Sequence, residues 1–287
     1  MTAANGGGQS GRIAVRKTYK LWIGGAFVRS ESGRYDRASR GGDADEVNIP
    51  RASRKDVRDA ISAARKAFGP WSARTAYNRG QILYRAAEAL ESRRDQLAAV
   101  SDAAQVDAAV DVLVHYAGWT DKFQAVLGGI NPVAAPFLSF SLPEPTGVVG
   151  VVAPDAPELL GLVAEIAPAL AAGNTVVAIL SEQLPLAGLD LAEVLGVSDI
   201  PGGVVNLLCG RRTELATALG AHRDLNAISD AAGDAELGAE LDRLAAETIK
   251  RARHREASSG YEMAIADALE RLEAVTELKT AWHPIGA

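Results

Sequence analysis

Pro145-Thr146-Gly147-Val148-Val149-Gly150-Val151-Val152-Ala153-Pro154-Asp155-Ala156-Pro157 is the stretch on which the fold turns. Its centre, Val148 to Val152, is β-branched apart from one glycine and closes on Ala153 and Pro154. A short apolar run between Gly and Pro reads as a strand buried on both faces, the kind that parallel sheets use. Two more such runs follow, at Thr175 to Leu180 and Val204 to Leu208, and the first two are joined by an apolar segment of helical length, Glu158 to Ala172. Strand, helix and strand at this spacing predict a βαβ unit. The loop after its first strand is expected to open at the carboxyl edge of the sheet, where α/β proteins place ligands.

Upstream of this unit, Lys20 to Val28 predicts a hairpin turning at Gly24-Gly25. Ser53 is expected to cap a helix with Val57, Ala60, Ile61, Ala64 and Phe68 inward, stopping at Gly69-Pro70. Asn78 to Ser92, Arg94 to Ala104 and Asp107 to Phe123 continue as amphipathic helices, with Tyr116, Trp119 and Phe123 at core spacing. Pro136 to Pro143 alternates apolar and polar, which predicts a strand with one wet face outside the main sheet. Downstream, helices are expected at Ala187 to Leu195 and near Thr213 to Leu219, with a last strand at Leu225 to Ser229. Asp234 to Ala257 reads as one surface helix and a basic linker around Lys250 to Arg255, either a solvated helix end or a partner contact. Tyr261 to Ala274 reads as a helix and Glu277 to Trp282 as a short extended tail.

Composition narrows the function classes. The chain has 287 residues, 48% hydrophobic and 23% charged, which is ordinary globular composition with room for a large core. A net charge of -6 argues against non-specific binding to nucleic acid or to an anionic membrane surface. One cysteine, Cys209, leaves no internal disulfide and no cysteine metal cluster. The Gly-rich, polar start lacks the pattern of a secretory signal, and the longest apolar segment is interrupted by Glu165, Pro168, Gly173 and Asn174, so a soluble cytoplasmic protein is expected.

Taken together, the motifs resemble those of the NAD(P)-dependent aldehyde dehydrogenases. The likeness runs from about Tyr19 to about Gly238 and again from Gly260 to Trp282. It is carried by Leu21-Trp22-Ile23-Gly24-Gly25, Phe68-Gly69-Pro70-Trp71, Tyr116 to Lys122, Glu144 to Gly150, Ala171 to Val177, Ser181-Glu182-Gln183, Pro201 to Asn206 and Thr276 to Trp282, in that order. The resemblance implies an α/β chain with a Rossmann-like coenzyme domain and a small antiparallel oligomerisation arm. It also implies a missing catalytic domain, because only residues 239–259 separate the two matching stretches. The division it suggests is a disordered tail over residues 1–17, a Rossmann-like domain over 18–135 and 146–237, an arm from 136–145 and 275–287, and a linker with C-terminal helices over 238–274. The arm residues expected to make contacts between subunits are Phe137, Leu138, Phe140, Leu142, Leu278, Thr280 and Trp282.

Set against the family's chemistry, the chain lacks its main parts. Aldehyde oxidation needs a thiolate, donors for the oxyanion and a base for deacylation. Cys209 matches the entry to the family's glycine turn, not its nucleophile, and reads as a small buried side chain. The family's oxyanion-stabilising Asn corresponds to Asp155, which as a carboxylate repels a developing oxyanion. The family's Glu-Leu-Gly-Gly base has no counterpart. Its ribose-binding Lys is Ile179 here, while Glu182 remains. Its phosphate turn keeps Gly210 but has Arg212 at the second glycine, where a side chain blocks close approach of the backbone. Asp234 adds negative charge near the pyrophosphate position. The catalytic set is therefore read as none, and the cofactor set as a degenerate Glu182, Gly210 and Arg212 with at most residual NAD(P) binding.

The first reading is a pseudoenzyme, a non-catalytic subunit that assembles with an active full-length aldehyde dehydrogenase or with a second copy of itself. The second is a nucleotide- or phosphate-binding module using Glu182 with Arg211 or Arg212. A working dehydrogenase and a decayed reading frame rank behind these.

Overall fold

The computed structural model describes residues 17–39, 46–257 and 261–285, without the side chains of Tyr261 and Met263. The tail expected over 1–17 therefore lies outside the described residues except for Lys17. That residue is no tail: its ammonium pairs with the buried carboxylate of Asp190 and lies 2.7 Å from Glu193.

The chain opens on β1 (Leu21–Ile23) and β2 (Ala26–Val28), an antiparallel hairpin over Gly24-Gly25. A separate antiparallel pair follows, β3 (Tyr35–Ser39) and β4 (Glu46–Pro50). Ser53 then caps α1 (Arg54–Ser72) in a reciprocal capping box with Asp56. This helix overruns the stop expected at Gly69-Pro70. Pro70 sits in its last turn, where one lost N–H is tolerated, and the extra turn buries Trp71 to 1% exposure.

Three helices follow, as the sequence suggested, but with other bounds: α2 (Ala76–Glu91), a shorter α3 (Arg94–Ala98) and an α4 (Ala103–Trp119) that starts earlier and stops before Phe123. The break between α3 and α4 comes from Asp102, whose carboxylate accepts the Ala104 N–H at 3.1 Å and so starts a new helix. Then come α5 (Phe123–Leu127), β5 (Gly129–Asn131) and β6 (Phe137–Pro145).

The βαβ reading holds: β7 (Val148–Val152), α6 (Glu158–Ala172) and β8 (Thr175–Ile179). Every residue of α6 is buried, which its near-absence of polar positions requires. Its start packs hard on the preceding loop, since a Cβ at Gly161 would come 2.3 Å from Pro154. Each of Leu159, Leu160, Leu162 and Ile166 contributes about 2 kcal/mol by leaving water. The helix ends on Gly173 at φ +95, a conformation that glycine adopts without strain. Next are α7 (Leu186–Leu195), β9 (Val205–Leu208), α8 (Arg212–Ala221), β10 (Ala227–Asp230), α9 (Ala235–Ala246) and β11 (Arg251–His254). The chain closes on α10 (Tyr261–Ala266), α11 (Ala268–Ala274) and β12 (Thr276–Pro284).

The main sheet has the order β11-β10-β7-β8-β9-β1-β2. Its first five strands are parallel, and β1 joins β9 antiparallel. Strand order reverses between β7 and β10, the position at which doubly wound sheets bind ligands. Two corrections follow. Leu225 to Ser229 is not the last strand, because Lys250 to Arg255 is neither a helix end nor a linker. It holds β11, paired with β10 over all four residues. The run carries no apolar signature, and two of its charges are met within the fold: Arg251 donates to the Thr276 carbonyl and pairs with Glu277 at 2.7 Å, and Arg255 pairs with Asp267 at 2.5 Å. The stretch 238–274 is thus more than a linker with helices, since it completes the sheet.

The C-terminal helix is broken at Asp267, which leaves helical geometry and accepts from both Arg255 and Arg271. Arg271 also reaches Glu165 of α6 at 2.5 Å, with the two side chains 5% and 4% exposed, and Glu165 accepts from Ser229 of β10 at 2.5 Å. Removing one partner strands a buried charge. Arg271→Ala is expected to lower unfolding stability by about 3–5 kcal/mol, read from urea denaturation. A loss below about 1 kcal/mol would mean that the pair is solvated.

Candidate functional site

Three loops meet at the carboxyl edge of the sheet. The first follows β7 and carries Asp155. The second follows β8 and carries Ser181 and Glu182. The third is the turn from β9 into α8, Cys209 to Arg212. Gly210 makes that turn at φ +155, and a Cβ there would lie 3.1 Å from the Ala52 nitrogen, so the position requires glycine.

Asp155 is the hub. Its carboxylate accepts from the Ser181 hydroxyl at 2.8 Å, from the Glu182 and Gln183 N–H groups at 3.0 and 3.3 Å, and from both Arg212 guanidinium nitrogens at 2.5 and 2.9 Å. Burial alone pushes its acid dissociation up. The Arg212 guanidinium and the Ser181 hydroxyl outweigh that and hold the carboxyl below its ordinary value. Glu182 lies alongside. One oxygen accepts from Arg211 at 3.0 Å, and the other takes the Arg212 N–H at 2.7 Å, at the first residue of α8.

The sequence reading placed Glu182, Gly210 and Arg212 in one site, and the structure brings all three together. What it missed is that Glu182 and Arg212 bond to each other and to Asp155. A signal was present: a carboxylate in the first loop and a guanidinium at the second glycine of the third are opposite charges on one sheet edge. Asp36 of β3, 4.0 Å from Arg211, was not foreseen. A polar cavity of about 320 Å³ lies between β3, the Glu182 loop and Gly210.

These residues do not fit a bound dinucleotide. A pyrophosphate at the start of α8 needs free N–H groups and uncommitted positive charge. Here Glu182 fills the first of those N–H positions, Asp155 neutralises Arg212, and Arg211 is on Glu182. Asp234 is committed too, accepting the Glu236 and Leu237 N–H groups at 3.0 Å as the cap of α9. Cys209 points inward: it is 1% exposed, and its thiol donates to the Pro50 carbonyl at 2.8 Å. Burial pushes its acid dissociation far up, away from thiolate formation. Among the described residues no cluster of His, Cys, Asp and Glu is arranged to hold a metal, and no helix is long and apolar enough to cross a membrane.

The second candidate is the three-stranded sheet β12-β6-β5. Pairing runs unbroken from Thr276↔Pro145 to Pro284↔Phe137. Residues opposite each other share a face. Phe137, Leu278, Thr280 and Trp282 therefore lie on one face, and Leu138, Phe140 and Leu142 on the other. The expected single wet face is corrected, because large apolar side chains are exposed on both. Trp282 and Leu278 are 59% exposed on the first face, and Leu142 is 48% exposed on the second, where Ile130 of β5 joins it at 76%. Ser141 and Thr280 share a hydrogen bond at 2.8 Å, and the Phe137 and Trp282 rings meet edge to face at 6.0 Å. β12 is an edge strand of this sheet, and among the described residues no strand pairs with its outer side.

The model for the aldehyde dehydrogenase family matches residues 27–277. Cytosolic aldehyde dehydrogenase 1 of Elephantulus edwardii is 32% identical over 252 residues, 82% of this chain and 49% of that protein. Among solved structures, the NAD+ complex of an aldehyde dehydrogenase from Bacillus cereus matches with a TM-score of 0.78 at 29% identity, covering 83% of this chain and 50% of that one. An NAD-dependent aldehyde dehydrogenase from Sinorhizobium meliloti matches with a TM-score of 0.78 at 27% identity, over 84% and 50% of the two chains. The chain spans about half the length of the curated relatives it matches.

The Asp155 network has a pH signature. A carboxyl depressed in the folded state adds stability above its unfolded value of 3.8, and that contribution is lost as pH falls through the depressed folded value. Asp155→Asn is expected to cost about 1–2 kcal/mol at neutral pH and to flatten the acid limb of a plot of stability against pH. An unchanged acid limb would contradict the network.

Proposed function

This chain belongs to the aldehyde dehydrogenase family, and from that premise we propose that it is a non-catalytic subunit that acts in assembly with a full-length aldehyde dehydrogenase or with a second copy of itself. The observation that carries the reading is the β12-β6-β5 arm. A three-stranded sheet with large apolar groups exposed on both faces and one long open edge is not a stable end state in water. It is suited to being covered, with edge pairing giving affinity and the apolar stripes giving register.

Chemistry supports the same reading. The only thiol in the chain is buried and held in its protonated form. The loop that would stabilise an oxyanion carries a carboxylate bound to Arg212. The commitment of Glu182 and Asp155 within the phosphate cradle supports a subunit with at most residual NAD(P) binding and weighs against the nucleotide-module alternative.

Two measurements test the proposal. Leu142→Glu and Leu278→Glu together place charge on both faces of the arm, leave the main sheet intact, and are expected to abolish co-purification of the partner subunit. Retention of the partner by the double variant would refute the arm as the contact. NAD or NADP at about 1 mM is expected to leave the melting temperature unchanged, because a ligand stabilises only when it binds the folded state. A clear upward shift would return the chain to the nucleotide-binding class.

A further inference from the structure

Beyond the assembly reading, the far edge of the main sheet carries a group that neither arm nor cradle uses. His254 ends β11. Its Nδ1 lies 2.9 Å from Asp230 at the end of β10, and its Nε2 lies 2.9 Å from Asp242 on α9. The ring packs against the α9 backbone, since a Cβ at Gly238 would come 3.3 Å from Nδ1. The Asp230 side chain is 3% exposed and also accepts the Ala232 N–H at 3.0 Å, while Asp242 is 61% exposed. The group borders a cavity of about 500 Å³ whose other charged lining is Asp234, Arg255 and Glu256. Arg255 is spent on Asp267 and Asp234 on its own helix, so the carboxylates within hydrogen-bond distance of His254 are the two it bridges, with Glu256 also on the cavity wall.

A neutral imidazole has one N–H and can donate to only one carboxylate, leaving a lone pair facing the other. The imidazolium donates to both. We propose that His254 is a pH-operated clasp: as a cation it ties α9 to the ends of β10 and β11, and on losing its proton it releases Asp242 and loosens α9 from the sheet edge. Burial disfavours the cation, but the hydrogen bonds to Asp242 and Asp230 outweigh it and raise the ring above its ordinary value of 6.5. The sign follows by linkage. The clasp's contribution is complete below 6.5 and is lost as pH rises through the raised folded value.

Imidazole NMR and amide hydrogen exchange on the full chain read this directly. His254 is expected to titrate above 6.5 with both ring nitrogens protonated at the acid end. Local opening of residues 235–246, corrected for intrinsic exchange, is expected to rise about five-fold from about pH 6 to about pH 8.5. His254→Gln should remove that pH dependence. Asp242→Asn, at an exposed position that folding tolerates, should lower the His254 midpoint. Titration at or below 6.5 in the wild type, or the same pH dependence of opening in the His254→Gln protein, would overturn the proposal.

Discussion

An arginine buried to 5% exposure is costly unless its partners are equally fixed, and Arg271 meets that condition through Glu165, Asp267 and the Ala164 carbonyl. Glu165 belongs to the most buried helix of the molecule and bonds Ser229 in the sheet behind it. This link decides where α11 sits. Because α11 runs directly into β12, it also decides where the arm leaves the body. Arg251 repeats the constraint from the other side, tying the edge strand β11 to the first residues of β12. The arm is exposed, but its root is held by buried charge. That rigidity suits the assembly role proposed for the arm, since a preorganised edge does not pay the ordering cost at the moment of contact.

The same sheet shows two outcomes for one inherited architecture. Its strand order and the positions of its loops follow the family. The loops have become an internal network of Asp155, Glu182, Arg211 and Arg212, in which each charge that would face a nucleotide faces another side chain. The anion position at the start of α8 is therefore filled rather than vacant, and the affinity of a helix N-terminus for negative charge now serves to hold two loops together.

Much of this was legible in the chain. The β-branched run at Val148 to Val152 and the length of Glu158 to Ala172 were enough for the βαβ unit, because a wholly buried strand and a helix whose only charged residues are Glu158 and Glu165 leave few polar residues to confuse the pattern. The alternation at Pro136 to Pro143 gave a strand outside the main sheet. What it did not give was the second exposed apolar face, because that depends on which side chains β12 and β5 place opposite β6. The strand β11 was illegible for a related reason: Arg251 and His254 look like part of a solvated run until their partners on β10, α9 and β12 are known. At the site, Glu182, Gly210 and Arg212 were readable as a group only through the resemblance to the family's coenzyme-binding motifs. That Glu182 and Arg212 are committed to one another is a matter of distance, and only the fold supplies it.

The central claim is that this chain works as a part of a larger assembly. Native mass spectrometry of the endogenous protein tests it most directly. The account predicts a complex whose mass is that of this 30.0 kDa chain plus at least one further subunit, a full-length aldehyde dehydrogenase or a second copy. A single species at the mass of one chain, with no partner subunit, would contradict it.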